Sequence, residues 1–223
     1  MDGATAPHGK LRLNRARLAR LVTFEGGEGA GKTTQILALA AHLEAHGQEV
    51  TTTREPGGTP GAEAVRQLFV DGDVDRWSPR SELFLLLAAR LDHLERTIRP
   101  ALAAGAWVLC DRYWDSTRVY QGRLGGLGDG EIVDLHDRWL EPFCPEMTLL
   151  LDVDVEVGLA RAAAGRFEAK GMAFHRTVRE AFHEFAGLEP DRFTTIDAGG
   201  DVADVKAAVI TAFSAKYPRL PAP

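Results

Sequence analysis

Cysteine is almost absent: two residues in 223, Cys110 and Cys144. Their placement offers neither a C-x-x-C pair nor metal-ligand spacing, which leaves no basis for a disulfide scaffold or a zinc ribbon. Cys110 follows Val108-Leu109 in an apolar run and reads as a buried, inert thiol. Such usage suits a reducing compartment, so a cytoplasmic protein is expected. No stretch approaches the ~18 consecutive apolar residues of a membrane span. An apolar h-region of the kind a secretory signal carries is also missing from the N-terminus. Positive charge is not in excess: 26 Lys and Arg against 32 Asp and Glu give a formal net charge of −6, which argues against a general nucleic-acid binder. His42 and His46 share a helix face, but the order is H-L-E-A-H and no third ligand is in sight. They read as part of a solvated surface.

What remains is ordinary globular composition, 45% hydrophobic and 26% charged, in a length suited to one α/β domain. Short apolar or β-branched runs at Leu21–Glu25, Glu49–Thr53, Trp107–Cys110, Met147–Val153 and Phe193–Ile196 read as strands of a covered sheet. Long helical patterns separate them, and that alternation implies a mostly parallel sheet flanked by helices. One helix is expected over about Pro79–Ala104. Ser78 and Pro79 suit its start, Gly105 its end, and Pro100 should bend or interrupt its last turn. The glycines of Gly122–Gly130 predict a mobile loop, and Gly158–Gly171 predicts a short lid over phosphates. Residues 1–20 carry Lys10, Arg12, Arg15, Arg17 and Arg20 and read as a flexible basic extension. The domain proper is expected over 21–213, with 214–223 as a tail.

Residues Gly26, Gly27, Glu28, Gly29, Ala30, Gly31, Lys32 and Thr33 match G-x-x-x-x-G-K-[ST] in full, and Thr34 follows. A candidate strand precedes them. Ile36, Leu39 or Ala40, and Leu43 follow at helical spacing, so the strand–loop–helix context of a phosphate-binding loop is complete. Glycines let backbone N–H groups converge on phosphate oxygens, and the helix N-terminus adds the positive end of its dipole. Lys32 should reach the β- and γ-phosphates of a nucleoside triphosphate, and Thr33 should ligate Mg²⁺.

Two further clusters sit at strand ends, where ligands of open α/β sheets bind. The first is Asp111-Arg112-Tyr113-x-x-Ser116-x-x-Val119-Tyr120-Gln121. Asp111 is placed to hold Mg²⁺ directly or through water, and Arg112 to pair bidentately with a phosphate. The second, Thr53-Arg54-Glu55-Pro56-Gly57-Gly58-Thr59, reads as lining of a substrate site.

Together, Phe24–Thr34, Thr53–Thr59 and Asp111–Gly122, with Thr195-Ile196-Asp197-Ala198, closely resemble bacterial thymidylate kinase from about Leu21 to Phe213. The resemblance implies a P-loop nucleoside-monophosphate kinase fold with a five-stranded parallel sheet and a short lid. It also implies a homodimer that uses Mg-ATP to turn dTMP into dTDP, with no membrane or nucleic-acid partner. Carried over residue by residue, Glu28 would contact the sugar 3′-hydroxyl, Arg90 the thymine carbonyl and Arg112 the acceptor phosphate. Arg54, Glu55, Pro56, Ser116, Thr117, Tyr120 and Gln121 would line the dTMP site, and Phe167-Glu168 the lid edge. Gly29 stands where eukaryotic-type enzymes carry a loop arginine, so the catalytic arginine is expected from the lid, as Arg161 or Arg166. Leu86 departs from the family's usual thymine-stacking Phe, and Ala162-Ala163-Ala164 leaves the lid poorer in arginine than in related enzymes.

An acceptor phosphate is already anionic, so the reaction requires charge neutralisation and alignment rather than a general base. Two rivals keep a foothold. A deoxynucleoside kinase would need a carboxylate base beside the second strand, which Glu55 supplies. A nucleotide-binding regulatory protein would have lost catalysis, against which Lys32, Thr33, Asp111 and Arg112 all speak. A GTPase is disfavoured: Asp197-Ala198-Gly199-Gly200 fits D-x-x-G but follows the last strand, and no Asn-Lys-x-Asp occurs.

Overall fold

The computed structural model describes residues 16–71, 76–140, 143–162 and 170–218. Five strands, β1 (Ala16–Glu25), β2 (Val50–Arg54), β3 (Trp107–Asp111), β4 (Phe143–Asp152) and β5 (Phe193–Asp197), form one sheet in the order β2-β3-β1-β4-β5. Every pairing is parallel, so all five carboxyl ends lie along one rim. Each strand ends on a charged residue: Glu25, Arg54, Asp111, Asp152 or Asp197.

Side chains alternate across a strand, and both faces here are covered. Val22, Phe24, Leu109, Leu149 and Leu151 face α1 (Lys32–Ala45) and α9 (Val202–Lys216), packing with Leu39, Leu43, Val209 and Phe213. The opposite parity, Leu21, Val108 and Cys110, packs with α3 (Pro79–His93) and α6 (Asp129–Leu140) through Leu83, Leu87, Ile132 and Leu140. Leu150 meets α8 (Met172–Leu188) at Val178, Phe182 and Phe185. Parity therefore sends Thr23 and Glu25 to the α3/α6 side, where Thr23 bonds Thr148 at 2.8 Å.

The sheet is the expected one, with longer strands. β1 begins five residues before Leu21, inside the segment expected to be a flexible basic extension. Ala16, Arg17 and Leu18 pair with Phe143, Cys144 and Pro145 of β4, and the Arg17 guanidinium donates to the Asp191 carbonyl. Backbone pairing with β4 outweighs the exposed charge of the segment. Residues 1–15 lie outside the described residues, as do half of the 158–171 lid (163–169) and the last five residues of the tail.

The expected 79–104 helix is capped by Ser78, whose hydroxyl accepts from Ser81 N, and ends at Gly105 with φ 85°. Its interruption lies upstream of Pro100, as a π-helical stretch at Leu94–Ile98 before α4 (Arg99–Ala103). Proline offers no N–H to the carbonyl four residues back, and the Arg99 N–H bonds Leu94 O instead. Most of the expected Gly122–Gly130 loop is also helical. α5 (Trp114–Thr117) runs into a second π-helical stretch, Arg118–Leu124, and α6 starts at Asp129. Gly122 is buried there, with Ile132 so close that a Cβ would lie 3.2 Å from its Cγ1. Between the first π stretch and β1 lie α2 (Pro60–Val70), capped by Thr59, and β2; α7 (Val155–Arg161) follows β4.

An ion network with Asp115, Arg118 and Arg192 buried at its centre ties α5 to the β4–β5 side. Asp115 accepts from Arg192 at 2.6 and 2.9 Å and from Arg118 at 3.2 Å, while Arg118 also reaches Asp129 and Glu189. Removing one partner of a buried pair strands the other charge, at about 3–5 kcal/mol. Arg192→Met should therefore lose about 3 kcal/mol in urea unfolding, the low end because Arg118 remains. A loss below about 1 kcal/mol would show that the network does not hold α5 in place.

Candidate active site

The loop Gly26–Gly31 joins β1 to α1, with Gly31 (φ 85°) immediately before the first helical residue, Lys32. Lys32 is buried, and its Nζ donates to the carbonyls of Gly27 (2.9 Å) and Gly26 (3.2 Å). Burial and the neighbouring Arg112 pull its pKa down against Glu28, Asp111 and Glu25. Gly29 (φ 67°) rests against the first turns of α7: a Cβ there would fall on the Gly158 carbonyl, and one on Gly158 would fall 2.5 Å from the Glu28 carbonyl. Two backbones thus meet with no side chain between them. Ala30 is buried behind the loop, while Thr34 is exposed on α1.

The Thr33 hydroxyl donates to Asp111 Oδ2 at 2.8 Å, so the two residues expected at the metal stand side by side. Next along the chain, Arg112 holds a left-handed backbone, φ 65°, a conformation costing a non-glycine residue about 1–2 kcal/mol. A buried carboxylate fixes it there. Glu25 accepts from Tyr113 N (2.9 Å), Ser116 N (3.3 Å) and Ser116 Oγ (2.6 Å), and the Arg112 N–H donates to Phe24 O. Ordinary hydrogen bonds contribute about 0.5–1.5 kcal/mol each, so the four together exceed the strain.

Arg112 then reaches across the loop. Its NH2 donates to Glu28 Oε1 at 2.6 Å, its NH1 to Gly26 O and Ser116 Oγ, both at 3.2 Å, and its guanidinium lies 5.5 Å over the Tyr120 ring. Burial raises the pKa of Glu28, but Arg112, Lys32 and His175 more than reverse this, and the carboxylate stays ionised below its ordinary value. Burial pushes the Tyr120 phenol up, so it remains a neutral donor, directed at Glu28 at 3.4 Å.

A second buried group lies between α3 and the end of β2. Arg90 donates through Nε to Glu55 Oε2 (2.7 Å) and through NH2 to Thr117 Oγ1 (2.9 Å), 5.0 Å over the Tyr113 ring. Its NH1 is buried without a partner. Glu55 was expected against the substrate, yet both its oxygens are taken, the other by His93 Nδ1 at 3.1 Å. A carboxylate so engaged is a poor hydroxyl base, which removes the feature that favoured a deoxynucleoside kinase. Leu86 is buried, whereas Phe84 is 55% exposed. Ser116, Thr117 and Gln121 are buried on the α5 side, the last donating to Glu82 at 2.9 Å.

Not every expected residue joins the cluster. Arg54 forks onto Glu63 of α2 at 2.8 and 3.2 Å, next to the cis Glu55–Pro56 peptide. The terminal nitrogens of Arg161 donate to the carbonyls of Ala198 (2.8 Å) and Gly199 (2.9 Å) after β5, not to the phosphate loop. Arg166, Phe167 and Glu168 lie outside the described residues. The sequence reading passed over Glu25, His93 and Arg66. Arg66 is half-buried and donates to Pro56 O; burial and the nearby Arg54 lower its pKa, and it feels both Asp111 and Arg112. Helical spacing from the Thr59 cap, which turns α2 back toward the Thr53–Thr59 cluster, was the available signal for Arg66.

A family model described as thymidylate kinase matches residues 24–209. The thymidylate kinase of Caulobacter vibrioides is 54% identical over 192 residues, covering 84% of this chain and 92% of that one. The thymidylate kinase of Rhizorhabdus wittichii is 48% identical over 205 residues, 89% of this chain and 99% of that one. The crystal structure of thymidylate kinase from Ehrlichia chaffeensis superposes with a TM-score of 0.73 at 32% identity, covering 86% of this chain and 97% of that one.

Burial, then Asp115, raises Glu25 from an ordinary 4.5 to about 7, despite Arg112, Ser116 and Tyr113 N. Between those values the native state keeps a proton that the unfolded chain has released. The resulting contribution to stability is complete below pH 4.5 and is lost as pH rises through about 7. Glu25→Gln lacks this titration, so the wild type should lose stability relative to the variant between about pH 5 and pH 7.5. Urea unfolding at both pH values measures this, and a constant difference would refute it.

Proposed function

The chain belongs to the thymidylate kinase family, and from that premise we propose which of its residues carry the transfer of the γ-phosphoryl group of ATP to dTMP, giving dTDP and ADP. The observation that carries the assignment is the convergence of Lys32, Arg112, Glu28 and the Thr33–Asp111 pair at the carboxyl rim of the sheet.

Backbone N–H groups of the loop and the start of α1 receive the ATP phosphates. Lys32 exchanges its two carbonyl partners for phosphate oxygens, a stronger attraction for a buried ammonium. Arg112 takes the acceptor phosphate, already turned toward the loop by its strained backbone. As that phosphate competes for the guanidinium, Glu28 becomes free to accept the sugar 3′-hydroxyl. Tyr120 stands beside it to crowd a ribose 2′-hydroxyl. Arg90 offers its unpartnered NH1 to the thymine carbonyl, and Leu86 supplies an apolar wall. Ser116 and Thr117 act mainly by holding Arg112 and Arg90.

The donor set at Thr33 and Asp111 suits Mg²⁺, which takes few protein carboxylates and shares its shell with phosphates and water. When bound, the cation neutralises phosphate charge. Homodimerisation belongs to the same reading: Val70, Phe84, Leu91 and Trp139 leave large apolar side chains exposed on α2, α3 and α6. A cytoplasmic setting agrees with the two free, buried cysteines, and among the described residues no helix is long and apolar enough to cross a membrane.

Coupled ADP release with dTMP, with thymidine and with no acceptor tests the acceptor directly, and only dTMP should support turnover. Lys32→Ala should lower kcat by about a thousandfold, the scale of a lost transition-state charge. More than about a tenth of wild-type activity would end that assignment. Arg161 is already held by two carbonyls, so Arg166 is the lid arginine assigned to the transferring phosphoryl group. Arg166→Ala should reduce kcat by about 10³-fold or more with little change in dTMP KM, and Arg161→Ala far less. Equal kcat losses in the two variants would remove the distinction.

A further inference from the structure

His93 is the last residue of α3 and is fully buried, one turn beyond Arg90 on the same helix face. Its Nδ1 lies 3.1 Å from Glu55 Oε1, and its Nε2 lies 2.7 Å from Thr53 Oγ1. A carboxylate only accepts, so Nδ1 carries a ring proton for Glu55, and Nε2 is hydrogen-bonded to the Thr53 hydroxyl. The chain of bonds runs from Thr53 through His93 to Glu55, whose other oxygen accepts Arg90 Nε at 2.7 Å. Thr117 takes Arg90 NH2, and the Tyr113 ring lies under the guanidinium. Every edge of that guanidinium is occupied except NH1, which is buried and unpartnered.

We propose that His93 is a positioning residue for base recognition: it fixes the Glu55 carboxylate, and through it the single orientation of Arg90 that leaves NH1 as the donor to the base. Without His93, Glu55 has a free oxygen in a buried site, and the arginine can rotate to offer that oxygen a second nitrogen. The nitrogen drawn in is NH2, which shares an edge with Nε; it leaves Thr117, and the turn of the guanidinium carries NH1 away from the direction in which it would meet the base. A fixed donor favours the carbonyl at the 4-position of thymine and opposes the amino group that cytosine carries there. His93 would therefore govern discrimination between dTMP and dCMP without touching either. The inference rests on Arg90 reading the base at its 4-position, since the 2-carbonyl is common to thymine and cytosine.

The test uses full-length His93→Leu, His93→Asn, Thr53→Val and Arg90→Met, with kcat and KM for dTMP, dCMP and ATP. His93→Leu should raise the dTMP KM by about tenfold or more, the scale of a lost charged hydrogen bond, and far more than it lowers kcat. The ratio of kcat/KM for dTMP over dCMP should fall by a similar factor, while the ATP KM does not follow. His93→Asn keeps an N–H donor near the Nδ1 position and should recover most of the dTMP KM and of the ratio. Thr53→Val should shift both in the same direction by a smaller factor.

A wild-type KM and ratio in His93→Leu would overturn the proposal. So would a His93→Asn variant as impaired as His93→Leu while its unfolding curve matches the wild type. If His93→Leu does not fold, Thr53→Val decides, and wild-type values there overturn it. Arg90→Met separates the two levels: if it leaves the ratio intact, the base-reading role of Arg90 fails. If Arg90→Met loses the ratio and the His93 variants keep it, only the role of His93 fails.

Discussion

The carboxylate of Glu25 is the point on which the catalytic rim turns. It ends β1, is wholly buried, and accepts two backbone N–H groups and a hydroxyl from the turn after β3. Those bonds keep Arg112 in a backbone conformation it would otherwise leave, and that conformation carries the guanidinium back over the phosphate loop. A residue with no direct reach to substrate thus decides where the most important cation points. The cost is visible in the proton affinity of Glu25: burial beside Asp115 raises it to about 7, even with Arg112 nearby. Stability is conceded at neutral pH to hold the turn.

Around that turn, charge is arranged in alternation. Lys32 and Arg112 are buried cations with Glu28 between them, and Asp111 stands on the far side of Thr33. Lys32 meets two loop carbonyls and Arg112 meets Glu28, partners that phosphate oxygens would replace in the proposed reaction. Binding exchanges partners rather than creating a cavity of bare charge. That explains how several ionised groups can sit within a few ångströms in a folded protein.

Local chemistry was legible in the sequence, and long-range arrangement was not. The phosphate loop could be read because its spacing, strand and helix are contiguous, and Thr33 and Asp111 because each ends or follows a strand whose carboxyl end must face the ligand. Glu25 escaped because its role depends on strand parity and on a turn more than eighty residues away. His93 escaped because a histidine inside an apolar helix carries no local mark. Arg17 and Arg20 suggested a loose basic arm, yet backbone pairing with β4 overrode their charge. Glycines suggested a loop at 122–130 where Gly122 is instead needed for close packing against Ile132. Arg161 had the right type and region but meets the carbonyls after β5. The sheet order, which sets all these meetings, could be inferred only as a fold class.

The bare contact between Gly29 and Gly158 has a consequence for where an arginine can live. Positions 29 and 158 occupy one volume between them, and at present neither side chain uses it. An arginine at 29 would need α7 to retreat, because the atom in its way is the Gly158 backbone carbonyl. Filling either position evicts the other's backbone. Supplying a cation from the loop, rather than from the lid as proposed above, would therefore meet this packing problem first. No side-chain change at 158, already glycine, would make that room; the backbone of α7 itself would have to move.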